Sequence, residues 1–312
     1  MNARWAYLVK AANNRLFAKR LLSRCQKSEL RTTVDTTLAL GALLDCKQGA
    51  IYGKIGTTEL LALEYSDRIS QPSWPNRLSW KRQAERLFVD SGVFPVSIKQ
   101  FEEFLQIYRK SIAVLDGITL WQESLFLKKY EAFLADGLCP RAIRLSLGAL
   151  SPLETMGELA SRELLIVSPF VQTMKEQVKK LPDIFRDMPW GKNLSAVYKT
   201  CQFVRCPFFS YLEESPYSCW SEGLQRLSEE IYQRKYEIAL VGAGAWSLPL
   251  LANIKNSGKK GLHLGGATQI AFGIKGRRWD SYWGKYYNES WIRPLPSETP
   301  AGFERKEKGC YW

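Results

Sequence analysis

The chain reads as an α/β protein: a mostly parallel sheet, helices on its flanks and a helical extension at its N-terminus. Three stretches predict this. Residues 237–279 run strand, glycine turn, helix, strand, glycine turn, short helix. Residues 50–65 repeat the first half of that pattern, with an apolar strand, a turn at Gly56-Thr57 and a helix. Leu164–Ser168 is a short apolar run, followed by a proline that suits the first turn of a helix. Alternating units of this kind build Rossmann-like sheets, whose ligands sit beyond the carboxyl ends of the strands.

Taken in order, residues 1–33 read as a basic helical extension, and 34–312 as one α/β domain. In the extension, Arg15, Lys19, Arg20 and Arg24 alternate with Leu16, Phe17, Leu21 and Leu22. That pattern suits either a peripheral membrane contact through residues 1–30 or an ordinary surface helix packed on the body. The first strand is read at 50–55, and the helix after it at 58–65. Residues 81–136 carry helical patterns, broken at Gly92, Pro95 and Asp116-Gly117. Further strands are read at 141–147 and 164–168, and a helix at 170–180. Residues 182–220 are rich in proline, aromatics and cysteine and show no period. Trp220, Leu224, Leu227 and Ile231 then fall on one helical stripe. A strand at 237–241, a helix over Ser247–Asn256 stopped near Gly258, and a strand at 261–264 complete the pattern. After Asp280 the chain is aromatic and irregular.

Composition narrows the function classes. The chain has 312 residues, 46% of them hydrophobic, which predicts a packed globular protein. Its 44 basic and 31 acidic residues leave a formal charge of +13, which favours phosphate, nucleic acid or an anionic surface as partner. The seven cysteines form no CxxC pair, and Cys201 and Cys206 have no histidine near them in sequence, so reduced thiols are expected. Neither a signal-peptide pattern nor an apolar run of ~20 residues is present, which predicts a cytoplasmic protein.

Two glycine turns carry the candidate chemistry. GAGAWS at 242–247 is a degenerate dinucleotide fingerprint whose third glycine position is Ser247. About 20 residues on, where a nicotinamide enzyme wants a carboxylate, stands Leu262-His263-Leu264, which counts against NAD but not against other nucleotides. The turn serves either a nucleotide or packing alone. GKIGTTE at 53–59 is a strand end, a turn and a helix start. Its Glu59 is either a ligand for a metal that bridges a diphosphate or an acid favoured by the helix dipole. His263, the chain's one histidine, ends a predicted strand beside Gly265-Gly266 and reads as structural or as a site residue. Lys275, Arg277, Arg278 and Arg293 are interleaved with tryptophans and tyrosines. Such clusters suit a stacked base or sugar, or nucleic acid, and the absence of a nucleic-acid module ranks the last lower.

These motifs resemble a known family. VGAGAWSLPL, KKGLHLGGATQIAFGIKGRRW, YNESWIRP and the closing GCYW resemble bacterial proteins with a GT-D-type glycosyltransferase fold, found with surface polysaccharide and glycoprotein genes. The likeness is densest over 237–312. AIYGKIGTTELLAL, DSGVFP and LLIVSPFVQTMKEQ extend it more loosely over most of 40–312. It implies a hexosyltransferase-type enzyme that binds a UDP-sugar and transfers the sugar to a glycan, glycoprotein or lipid-linked acceptor, in the cytoplasm or at the inner face of the membrane. The glycine turns and the basic cluster supply the expected donor residues: Gly53, Lys54, Gly56, Thr57, Gly242, Gly244, Ala245, Gly265, Gly266, Gln269, Lys275, Arg278 and Arg293. Members carry an Asp-X-Glu motif for Mn²⁺ or Mg²⁺ after the first strand. Here that motif reads Thr57-Thr58-Glu59, which keeps the glutamate, loses the aspartate and puts metal dependence in question; basic side chains offer the leaving diphosphate another counter-charge. His263 is the expected acceptor base. The other expectation is a non-catalytic nucleotide- or glycan-binding protein on the same fold.

Overall fold

The computed structural model describes residues 36–69, 80–145, 151–209 and 211–312. The basic extension read at 1–33 lies outside the described residues. Helix α1 (Thr36–Asp45) leads into β1 (Ile51–Gly53), followed by α2 (Thr57–Ile69), α3 (Trp80–Ser91), α4 (Ile98–Ala113) and β2 (Gly117–Thr119). Next come α5 (Leu125–Leu138), β3 (Ile143–Leu145), α6 (Pro152–Glu158), β4 (Leu164–Ser168), α7 (Val171–Gln177) and β5 (Cys201–Arg205). The chain closes its sheet with α8 (Trp220–Tyr232), β6 (Ile238–Val241), α9 (Ser247–Asn256) and β7 (Lys260–Leu262). From Gly265 onward it runs mainly in short 3₁₀ turns.

The seven strands lie in the order β3-β2-β1-β7-β6-β4-β5, and every neighbouring pair is parallel. A parallel sheet is covered on both faces, so its central strands β4 and β6 are nearly continuous apolar runs. The alternation of side chains then sorts them into two cores. Ile51, Leu165, Val167, Ala239 and Val241 face one core, under α2 to α5, α8 and α9. Tyr52, Leu164, Ile166, Ile238, Leu240 and Leu262 face the other, under α1, α6, α7 and the C-terminal segment. Helix α4 shows the local logic. Ser97 caps it by accepting from the Gln100 N–H at 3.2 Å, while Phe101, Phe104, Tyr108 and Ile112 form its buried stripe.

This is the α/β, parallel, Rossmann-like architecture expected from the sequence, with two strands added. β2 occupies the Asp116-Gly117 position read as a helix break: three fully buried residues are too short a run to show a period. β5 lies within the stretch read as aperiodic. It is an edge strand and only half covered, so polar residues interrupt it. β7 ends at Leu262, two residues before the predicted end, and leaves His263 just beyond the sheet. The helix read at 170–180 is α7 followed by a 3₁₀ turn, Val178–Lys180. Residues 146–147 of the strand read at 141–147 lie outside the described residues. Among the described residues no helix is long and apolar enough to cross a membrane.

The connections position the site. The chain leaves β4 towards β5 and leaves β6 in the opposite direction, towards β7, although β4 and β6 are neighbours. Such a reversal opens a crevice at the carboxyl edge. The C-terminal segment folds back along that edge and is pinned by Glu298. Its buried carboxylate accepts from the N–H groups of Gln172 and Thr173 at 2.7 and 2.9 Å, and from the Thr173 hydroxyl at 2.6 Å. These are charge-assisted bonds at the first turn of α7. Glu298→Gln replaces one accepting oxygen by a donor and removes the charge. It is expected to cost about 2–3 kcal/mol, measured as a lower urea midpoint with unchanged slope; an unchanged midpoint would show that the segment is held elsewhere.

Candidate functional site

A cavity of about 480 Å³ opens at the carboxyl ends of β1, β4, β6 and β7. β6 and β7 end there in tight turns. After β6, the Gly242 N–H donates to Val167 O at 2.8 Å, and the chain turns at Gly244 with φ +55°. After β7 it turns at Gly265 with φ +64°, held by a 2.8 Å bond from the Thr268 hydroxyl to Gly265 O. The two turns touch: a Cβ on Gly242 would stand 2.7 Å from that hydroxyl. Glycine at 242 and 265 is therefore a packing requirement of the cleft floor.

β1 delivers Lys54 into the cleft. Its ammonium lies 5.2 Å from the centre of the Trp121 ring, and the indole N–H of Trp121 donates to Ile55 O at 2.7 Å. Trp121 is itself fixed from α5. Fully buried Glu131 accepts from the Trp121 and Gln122 backbone N–H groups at 3.1 and 3.2 Å through one oxygen, and its other oxygen has no hydrogen-bond partner among the described residues. Burial pushes the Glu131 carboxyl up to about 7, against those two bonds and the charge of Lys54. Burial, with help from Arg278, brings Lys54 down to about 8. Arg278 enters from the C-terminal segment. It pairs with Glu307, and its guanidinium lies 4.9 Å from the centre of the Tyr311 ring.

His263 is 8% exposed and lines the cleft. Its Nδ1 lies 2.9 Å from Val241 O and 3.2 Å from the Gly265 N–H. One nitrogen cannot serve both. The shorter contact to a buried carbonyl assigns the proton to Nδ1, which leaves Nε2 with the free lone pair. Burial and the neighbouring Lys54 lower the imidazole to about 4, so it is neutral at cellular pH. An acceptor base at this position is therefore weaker than an exposed imidazole, which titrates near ~6.5.

Glu59 stands in the first turn of α2. Its carboxylate folds back over Gly56, where a Cβ would collide with it. Burial raises its pKa, opposed by its own backbone N–H, by Ser91 and by the Lys306 charge. The metal implied by the Asp-X-Glu resemblance does not fit these residues. Thr57 donates its hydroxyl to Gln122 at 3.1 Å. Asp90 and Glu307, the next acids lining the cleft, are both held by Lys306, at 3.4 and 3.0 Å. Among the described residues no three His, Cys, Asp or Glu side chains come together as a metal site. The cysteines at 46, 139, 201, 206, 219 and 310 are free thiols.

Of the residues read from sequence, Lys54, Gly56, Thr57, Glu59, Gly242, Gly244, His263, Gly265, Gly266, Gln269 and Arg278 line this one cleft. Gln269 is also a brace: its amide donates to Lys275 O at 3.0 Å and Tyr311 O at 3.1 Å. Four stand apart. Gly53 is a strand residue packed under Leu248, and Ala245 is buried behind its turn. Lys275 lies over the Tyr287 ring at 5.5 Å, and Arg293 pairs with Asp280 at 2.6 Å. Sequence reading missed Asp90, Ser91, Tyr108, Trp121 and Tyr311 in the lining. Only the aromatic run near the C-terminus hinted at Tyr311.

Compared with known protein families, curated proteins and solved structures, the chain matches none. The site is therefore read from its own geometry.

The buried imidazole makes a testable demand on stability. His263 protonates near ~6.5 when unfolded but at about 4 when folded. Its contribution is complete above the unfolded value and is lost as pH falls towards 4, on the order of 3 kcal/mol across that window. Urea unfolding of wild type and His263→Gln at neutral and acid pH should show a smaller acid loss in the variant. Equal losses would mean that the ring is not buried in its neutral form.

Proposed function

We propose that the chain is a glycosyltransferase. It takes a nucleotide-sugar, a UDP-sugar first among them, and passes the sugar to a hydroxyl of a glycan, glycoprotein or lipid-linked acceptor in cell-surface glycan synthesis. The observation that carries this reading is the cleft at the carboxyl ends of β1, β6 and β7. Two cations from distant parts of the chain, Lys54 and Arg278, line it together with two aromatic rings, Trp121 and Tyr311. Cations suit a diphosphate, and rings suit a base or a sugar. Transfer breaks the bond from the anomeric carbon to the diphosphate oxygen and leaves negative charge on that oxygen; cations aimed there lower the barrier. His263 offers Nε2 as an acceptor for the incoming hydroxyl and orients it. With its pKa at about 4, it is a weak base at neutral pH.

A non-catalytic nucleotide- or glycan-binding protein is the second reading. Thr57 in place of the aspartate favours it, as does the low basicity of His263. One experiment addresses both readings. Thermal unfolding is followed with nucleoside diphosphates and UDP-sugars, and UDP release is measured in parallel. Ligand at 100 times its dissociation constant stabilises by ~2.7 kcal/mol, a rise in Tm of roughly 5 °C for a domain of this size. No shift at millimolar concentration would sink nucleotide binding. A shift without UDP release from any sugar nucleotide would leave the binding protein.

A further inference from the structure

We infer that the cleft holds the diphosphate of its ligand through the Lys54 ammonium as principal counter-charge, without a divalent metal. The inference rests on the proposed nucleotide-sugar reading for the identity of the ligand, but not for the position of the charge.

Lys54 is the first residue after β1 and lines the cavity. Among the described residues no carboxylate stands within 4.0 Å of its ammonium. Its neighbours are the Trp121 ring and the Gly265 turn. A Cβ on Gly265 would stand 2.9 Å from Lys54 Cε and 3.1 Å from Nζ, so the turn makes room for the chain's end. The other cations here are already committed. Arg278 pairs with Glu307, and Lys306 holds Asp90 and Glu307. A half-buried ammonium with no carboxylate beside it carries a solvation cost, which an arriving anion offsets. Acids that would hold a metal are absent from this role. Glu59 is folded onto Gly56, Asp90 and Glu307 lie on Lys306, and Thr57 stands where the resemblance implies an aspartate.

Three other groups set the charge around Lys54. Arg278, from the C-terminal segment, disfavours its ammonium, and Glu131, from α5, favours it. His263, beyond β7, is kept neutral by its burial and, secondarily, by the nearby Lys54. Burial first, and Arg278 second, make Lys54 give up its proton more readily than an exposed lysine, and a bound diphosphate holds that proton in place. Ligand affinity must fall as the free protein loses the proton.

The test is calorimetric titration of the full chain with UDP and, separately, with inorganic pyrophosphate, each in EDTA and in Mn²⁺. Wild type should bind equally well in both media. Lys54→Met should weaken both ligands at least about tenfold, the loss of one charged hydrogen bond. Wild-type affinity should drop at least about fivefold between about pH 7.5 and about pH 9.5, while Lys54→Arg, which keeps its charge there, should bind with no such slope. Melting temperatures of the variants show that each is folded, and the Lys54→Arg slope decides the matter if Lys54→Met does not fold. Binding that requires Mn²⁺, undiminished binding by Lys54→Met, a slope that survives in Lys54→Arg, or no binding of either anion overturns the inference. Pyrophosphate bound through Lys54 with no UDP bound upholds it and overturns the nucleotide reading instead.

Discussion

Lys306 is 1% exposed, and an ammonium so deep must be paired. It lies 3.0 Å from Asp90 O, 3.4 Å from the Asp90 carboxylate and 3.0 Å from Glu307, with the Phe209 ring 4.8 Å away. Asp90 belongs to α3, on one face of the sheet; Lys306 belongs to the C-terminal segment, which covers the other face. The pair therefore bridges the two layers across the carboxyl edge and gives the cleft its outer wall. Asp90 and Glu307 keep 39% and 45% of their side chains in solvent, so the buried lysine is the member that depends on the pairing: losing both acids would strand its ammonium. Glu307 extends the bridge to Arg278, and Arg278 to Tyr311, which ties the C-terminal side of the cleft's aromatic rim to this lysine, while Trp121 opposite is held by Glu131.

Legibility in the sequence followed how local each signal was. β4 was readable to the residue, because four consecutive apolar side chains closed by Ser168 and Pro169 leave few alternatives. Helix α9 was equally plain, and Gly258 ends it with φ +78°. β2 and β5 were not legible. One is too short to show alternation, and the other lies at an edge where polar residues are tolerated. Their places are set by pairing with β1 and β4, which no window of sequence displays.

The site divides in the same way. The glycine turns announced themselves, because a tight turn leaves its mark in adjacent residues. The wall did not: Lys306 and Asp90 are 216 residues apart. Clustering in sequence also misled. Lys275, Arg278 and Arg293 look like one basic patch, but the segment carrying them is a series of 3₁₀ turns that points them in different directions. Arg278 enters the cleft, while Lys275 and Arg293 are occupied by Tyr287 and Asp280. The motif at 57–59 likewise says nothing of where its glutamate points, and in the folded chain that side chain lies over Gly56.

Three ionisable groups around the cleft shift in one sense. Glu131 rises to about 7, His263 falls to about 4 and Lys54 falls to about 8, and burial leads in each. Each shift favours the neutral form, which is the signature of a poorly solvated site. In such a site a charge brought by a ligand is weakly screened, so its attraction to a cation is stronger than at the surface. The same poor solvation makes a charged side chain in the cleft costly. Glu131 is the counterweight: its carboxylate favours the Lys54 ammonium, while its two backbone bonds keep Trp121 beside that ammonium. The arrangement thus combines a rigid ring, a cation with no carboxylate partner of its own among the described residues and low solvation, the three conditions under which a planar, anionic ligand gains most from entering.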